Sequence, residues 1–456
     1  MPPRKTPARR ALEGGSALER GRSAAKGPAL RFAPIDAMNL PAYVDIVRDA
    51  YPLFASEKEA MVDHFRSALI GGYPQLVGAF EPDGRMAGIY AHFTFAATIL
   101  GRGLPATGLG MVGTALDRKK AKVALSIVRD FVRRTRRSGA PLSFLYPFRH
   151  DFYARMGWGP VGESRQHTLP PVAFPLYPER NMVRQVRDPG WEQLDRIHRQ
   201  AIGRRGALGL SRHPLRWKGQ LKGSPLTFLV DGPSTGGTAP HGGTPPFEGT
   251  AGESEGYLLA HFTKRADLPD LFKYDLEVSE MEWTTPRALR ALLGFLSSQR
   301  DQVVEIILDW QVDGHLGAVL LDPARRNAVA LRNHQSPGPQ VGLGVMMRLE
   351  DPPTAFALRP YAGRDAVRLD VTTRDPLRDG AAIRFRADLR GAEASGVRLA
   401  RAALETDLAT LSRLWAGSLR VSEALEFGIA TVAPLVAVET LERLLAVPAP
   451  RIVERF

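Results

Sequence analysis

The segment 113-GTALDRKKAKVA-124 groups Asp117, Arg118, Lys119, Lys120 and Lys122 within six positions. It reads as the turn between a strand and a helix. Backbone N–H groups at a helix start form an anion site, and the helix dipole favours phosphate there. Arg118, Lys119, Lys120 and Lys122 add positive charge. In a first helical turn that charge opposes the dipole, which favours Asp or Glu. A bound pyrophosphate would relieve the conflict. A solvated basic helix start is the plain alternative, and these residues alone leave both open.

Just upstream, 108-GLGMVG-113 has the formal spacing G-x-G-x-x-G. A dinucleotide site needs those glycines to open a helix and an acidic residue after the next strand. Here the helix is expected only from Arg118 onward, and 141-PLSFLYPF-148 contains no acid. A Rossmann site is therefore disfavoured. The ten histidines show no H-x-x-x-H or H-E-x-x-H spacing, so no metal site is expected. No G-x-S-x-G occurs, which disfavours a serine hydrolase. The chain has no cysteine, which excludes disulfides, thiolate metal sites and a cysteine nucleophile.

The elements that must position the basic turn follow from periodicity. Residues 30–51 read as a strand, a loop and a helix. The run 75-QLVGAFEP-82, a turn at Asp83-Gly84 and 86-MAGIYAHFTFAATIL-100 predict a hairpin. Next comes the extended run 108–116, with Asp117 as expected N-cap. Residues 118–139 predict a helix whose apolar stripe is Val123/Ala124, Ile127/Val128 and Phe131/Val132, stopped by Gly139. A buried strand at 141–148 and a short helix at 150–156 complete the unit. The same strand–helix–strand order recurs at 274–283, 287–299 and 303–310, with Thr285-Pro286 as helix start. Strands at 226–232 and 256–262 precede it. The Gly/Pro/Thr-rich stretch 232–256 between them reads as a disordered insertion. From Gly342 onward, strands at 343–349, 366–373 and 398–407 and helices at 407–417 and 435–446 give a third α+β segment.

The 456 residues allow two to four domains, and 44% apolar with 24% charged residues is ordinary for globular chains. No apolar run reaches the ~20 residues that span a bilayer, so no membrane partner is expected. The N-terminal stretch is basic, lacks the apolar core of a secretory signal and is expected to be disordered. Residues 1–31 supply +6 of the +13 net charge. The remainder is spread thinly, which disfavours nucleic acid as the main partner.

Together the strand, basic turn, long helix, second strand and 146-YPFRHDFYARMGWGP-160 resemble the acetyl-CoA-binding core of GNAT N-acetyltransferases. More narrowly, with the internal repeat, the length and the C-terminal aromatic Phe456, the chain resembles the Eis-like (enhanced intracellular survival) group. The resemblance implies an α+β chain: a tail over 1–29, a GNAT domain over 30–178 and a second GNAT-like domain over 179–338. A sterol-carrier-like domain follows over 339–456. It implies acetyl-CoA as co-substrate, a primary amine as acceptor (aminoglycoside, polyamine or lysine), a cytoplasmic location and a hexamer. Met111, Val112 and Gly113 would meet the pantetheine. Lys119, Lys120, Ala121, Lys122, Val123 and Ala124 would hold the pyrophosphate, and Phe148 and Arg149 would also touch the cofactor. Tyr153 would be the acid and the Phe456 carboxylate the base. Ala121 stands where the family turn has glycine, and Val123 where it has a small residue. Arg455 places a cation where Eis-like acceptor sites are acidic. The alternative is a scaffold that has lost tight CoA binding and acts through its sterol-carrier-like domain.

Overall fold

The structure, a computed structural model, describes residues 29–52, 58–223, 225–233, 253–265, 273–310, 316–322 and 338–456. The expected tail up to residue 28 and the insertion from 234 to 252 lie outside them. The described residues form three sheets.

The first sheet has eight strands. Seven run in the order β1 (Arg31–Pro34), β2 (Gln75–Phe80), β3 (Met86–Ile99), β4 (Arg102–Thr114), β5 (Leu142–Leu145), β15 (Met346–Leu349) and β6 (Gly159–Pro160). The eighth, β9 (Gly209–Leu210), pairs with β3. Helices α1 (Leu40–Ala50) and α2 (Lys58–Gly71) bury their apolar faces on one side. Helices α3 (Val123–Arg137) and α4 (His150–Ala154) bury theirs on the other. The β3–β4 turn has Leu100 at φ 47 and Gly101 at φ 77, the left-handed pair that a tight hairpin requires.

The second sheet runs β14 (Gln340–Leu343), β7 (Glu163–Leu169), β13 (Val303–Asp309), β12 (Tyr274–Trp283), β11 (Ser254–Lys264), β10 (Leu226–Asp231), β8 (Val183–Val186). Helix α7 (Pro286–Ser298) covers one face; α5 (Trp191–Arg205) and α6 (Pro214–Lys222) cover the other. The Thr285 side chain accepts from the Ala288 N–H, capping α7 as its sequence predicts.

The third sheet runs β17 (Ala381–Arg390), β16 (Ala366–Asp375), β18 (Ala400–Thr406), β19 (Ala430–Ala433). It packs with α8 (Pro352–Leu358), α9 (Leu408–Ala416), α10 (Val421–Glu426) and α11 (Val438–Leu445). Its core is continuous with the first sheet through Leu104, Ala106, Leu142 and Phe144.

Three expectations are corrected. Helix α3 begins at Val123, not Arg118, because Lys120 (φ 68) and Lys122 (φ 62) adopt left-handed backbone and break the helical run. Asp117 is accordingly no N-cap; it pairs with Arg85 and Arg118. Strand membership also differs. β7 belongs to the second sheet, although it precedes the division expected at residue 178. The run 343–349, expected in the third segment, splits: β14 ends the second sheet, and β15 lies between β5 and β6. All four β15 residues are buried, as an interior strand with both faces covered requires.

Candidate active site

β4 and β5 run parallel and pair only from Ala106↔Leu142 to Leu109↔Leu145. Beyond that point the strands part, and a wedge opens between Gly110 and Tyr146. A bulge sits at its edge: the β3 register steps from Ala91↔Gly110 to Ile89↔Gly113, with Met111 at φ 51. Such a bulge bends the strand and re-aims its backbone groups. Met111 and Val112 are half-buried and Gly113 is buried. On the opening side the Tyr51 hydroxyl donates to the Val112 carbonyl (3.0 Å).

The turn leading into α3 lies at the same end of β4. Lys119, Lys120, Ala121 and Lys122 are exposed, and Val123 is buried against the sheet beside Gly88. A helix start leaves its first N–H groups without intrahelical acceptors, here those of Val123, half-buried Ala124 and Leu125. The lysines precede the helix, with Lys122 as its N-cap residue, so their charge still faces the positive end of the dipole and favours an anion there. Arg118 is committed elsewhere: its guanidinium gives two 2.9 Å bonds to Glu81 and one to Asp117. Phe148 is 63% exposed at the rim. Arg149 is turned to Asp151 by bonds of 3.0 and 2.6 Å.

Tyr153 is buried on the α3 face, in one apolar cluster with Leu109, Leu145 and, at its margin, Val112. Its ring meets Phe148, Phe152 and Trp158 edge-on. Burial, then the neighbouring Tyr51 phenol, push its pKa well above that of a free tyrosine, so it keeps its proton at neutral pH.

Phe456 lies on the opposite face. Its ring sits among Phe93 (5.4 Å), Phe95 (5.1 Å) and Tyr146 (5.5 Å). Gly108 leaves room for that ring: a Cβ there would meet it at 2.6 Å. A Cβ on Gly110 would meet the terminal carboxyl carbon and oxygen at 3.5 Å. The chain terminus thus reaches the residue where the wedge opens. Side chains alternate across a strand, so Leu109 points to Tyr153 while Gly108 and Gly110 face Phe456.

The structure therefore brings together Met111, Val112, Gly113, Tyr153 and Phe456 around the wedge, with Lys119–Ala124 at its end. Arg149 is held apart by Asp151. Sequence reasoning missed Tyr51, whose partner is 61 positions away, and Tyr146, whose hydroxyl donates to the Glu454 carbonyl (2.8 Å). Tyr146 begins the motif 146-YPFRHDFYARMGWGP-160, the one signal that could have marked it. No group of His, Asp or Glu able to hold a metal occurs among the described residues, and no described helix is long and apolar enough to cross a membrane.

Comparison with known proteins gives the family of each part of the chain. Residues 31–161 and 246–349 each match an acetyltransferase (GNAT) domain, and residues 352–453 match a sterol carrier protein domain. The chain is thus a tandem GNAT protein with a C-terminal sterol-carrier domain. A GCN5-related N-acetyltransferase from Anabaena variabilis superposes with a TM-score of 0.73 at 15% identity, over 94% of this chain and 100% of that one. One from Kribbella flavida gives 0.71 at 18% identity, over 94% and 98%. Eis1 from Mycobacterium abscessus gives 0.70 at 16% identity, over 93% and 100%. These likenesses are of fold. A search of the curated proteins returns no match.

Proposed function

We propose that this chain transfers an acetyl group from acetyl-CoA to a primary amine by direct attack. The observation that carries the reading is the terminal carboxyl held against Gly110 at the mouth of the β4–β5 wedge. A free chain end is ordinarily frayed. Here the Phe456 ring packs among Phe93, Phe95 and Tyr146, which supports a role for the carboxyl beside Gly110.

Acetyl-CoA would lie along this wedge. The parted strand edges beyond Leu109 and Leu145 offer backbone groups to pantetheine amides. The exposed lysines and the N–H groups at the α3 start offer an anion site to the pyrophosphate. Bound there, acetyl-CoA supplies the activated acyl group. Backbone donors at Met111–Gly113 polarise the thioester carbonyl. The Phe456 carboxylate takes one proton from the bound ammonium, directly or through water, and passes it to solvent; the neutral amine attacks, and its second proton leaves to solvent as the tetrahedral intermediate collapses. Tyr153 gives its proton to the sulfur as the C–S bond breaks and is reprotonated from solvent. Acid and base stand on opposite faces of the sheet, so amine and thiol approach and leave on different sides.

Among the acceptors implied by the resemblance, the charges beside the terminus weigh against polycations. Arg216 bonds the Arg455 carbonyl, Arg455 is exposed, and His64 is held below its ordinary pKa by burial and then by Arg216 and Lys222. An amine carrying a carboxylate or phosphate meets this rim better than spermidine does. A cytoplasmic location and a hexamer accompany the reading, and light scattering tests the assembly.

The second reading is a scaffold without turnover, favoured by Ala121 in the turn and by Arg118 being spent on Glu81. Calorimetric titration with acetyl-CoA, followed by mass spectrometry of an amine panel, separates the two. Binding with an added acetyl mass supports the enzyme; no heat at millimolar acetyl-CoA supports the scaffold.

A further inference from the structure

The second GNAT unit repeats the wedge of the first. β12 and β13 run parallel and pair as far as Val278↔Leu308, and Ser279 is the extra residue of a bulge. At the position where the first unit opens, the second is closed. Trp283 and Trp310 stack across it at 5.5 Å and 21°. Two acids of this strand end are buried, Glu280 at 6% exposure and Glu282 at 0%.

Both acids lead to the chain terminus. Arg451 donates to Glu282 (3.1 Å) and to the Met281 carbonyl (2.8 Å), and its guanidinium lies over the Trp283 ring. Arg205 binds the other oxygen of Glu282. Arg212 donates to Glu280 (3.0 Å) and also bonds Glu454. Arg216 bonds Glu454 and the Arg455 carbonyl. The Arg451 N–H donates to the Leu208 carbonyl (2.8 Å), and Ile452 is buried in the core. Five residues from 451 to 456 are therefore fixed by bonds or packing, and only Val453 lacks such an anchor here.

We propose that the second unit has become a clamp: Glu280 and Glu282, through Arg212 and Arg451, set the position of the Phe456 carboxylate in the active site of the first unit. The claim rests on the terminal carboxylate being the base. Arg205, Arg212 and Arg451 are positioning residues that act through other side chains, and so is Glu454, which meets the wedge through the hydrogen bond its carbonyl accepts from Tyr146. Buried ion pairs add little net stability compared with apolar packing, and their best-attested use is to fix one arrangement over others. Here the arrangement fixed is the last six residues. Apolar packing alone would let the tail slide along its axis; paired charges at 451 and 454 fix its register.

The test uses the full-length chain with acetyl-CoA and the best amine of the panel. Arg451→Gln and Arg212→Lys are measured beside a chain extended by one glycine after Phe456. The clamp predicts that Arg451→Gln lowers kcat by about a hundredfold, the scale of a ~1 Å misplacement, while KM for acetyl-CoA stays within about twofold. It also predicts that carboxypeptidase removes Phe456 from this variant and not from the native chain. Arg212→Lys retains one ion pair and should fall between them, and it carries the test should Arg451→Gln fail to fold. Native kcat in both variants, with turnover abolished by the added glycine, overturns the clamp and leaves the base intact. Native turnover in the glycine-extended chain overturns the base and the clamp with it.

Discussion

At the scale of single residues, Tyr153 and Phe456 stand on opposite faces of the first sheet and take separate tasks in the proposed reaction. Tyr153 is buried with its pKa raised, so it is a proton donor throughout the neutral range. Tyr153→Phe should lower kcat by roughly 10²–10⁴-fold, the usual worth of a general acid, with acetyl-CoA affinity by calorimetry nearly unchanged. Gly108→Ala puts a methyl 2.6 Å from the Phe456 ring. It should cost about 1–3 kcal/mol in urea unfolding as an overpacked site and reduce turnover by displacing the terminus. A native melting curve with native turnover would show that the ring does not rest there. A motif and a terminal aromatic single out Tyr153 and Phe456 in the sequence, and the structure buries Tyr153 and packs the Phe456 ring against Gly108. Gly108 and Gly110 were visible as a false dinucleotide fingerprint; their purpose needs the ring that faces them, and that ring is more than 340 residues away in sequence.

At the scale of elements, the α3 stripe was legible because its apolar residues recur every four positions and all face one sheet. Its start was not, because nothing in RKKAK demands left-handed backbone. Lysine at φ 68 is strained by roughly 1–2 kcal/mol, and glycine removes that strain while losing more entropy on folding. Lys120→Gly should therefore stabilise the chain by about 0.5–1 kcal/mol in urea unfolding. The same change should weaken acetyl-CoA binding, and that loss should shrink as salt is raised, since an exposed charge is screened. Tighter binding by the variant would remove the lysines from the pyrophosphate site.

At the scale of the whole molecule, the tandem plan was legible because strand–helix–strand order repeats, with Thr285-Pro286 starting α7. Which sheet each strand joins was not. A fully buried run such as 346-MMRL-349 carries no period that names its neighbours. The clamp was invisible for the same reason: Arg212–Glu454 and Arg451–Glu282 join residues 242 and 169 positions apart. Its acid sensitivity follows from its charges. Burial alone would raise Glu282, but Arg451, Arg205 and His198 bring it down to about 2. A carboxylate depressed in the fold stabilises it above its unfolded pKa of about 4.3 and loses that contribution as pH falls toward 2. The urea midpoint should therefore drop through that window, and in Glu282→Gln this component of the drop should vanish. The variant should also be less stable at neutral pH by about 3 kcal/mol, because two arginines lose their partner.

The most direct measurement is acetyl transfer by a semisynthetic chain whose Phe456 α-carboxylate is replaced by a carboxamide. The two groups are alike in size and shape, so the fold and acetyl-CoA affinity should hold while kcat falls by at least about 10²-fold, the lower worth of a general base. Equal turnover by the amide and the native acid would contradict the account.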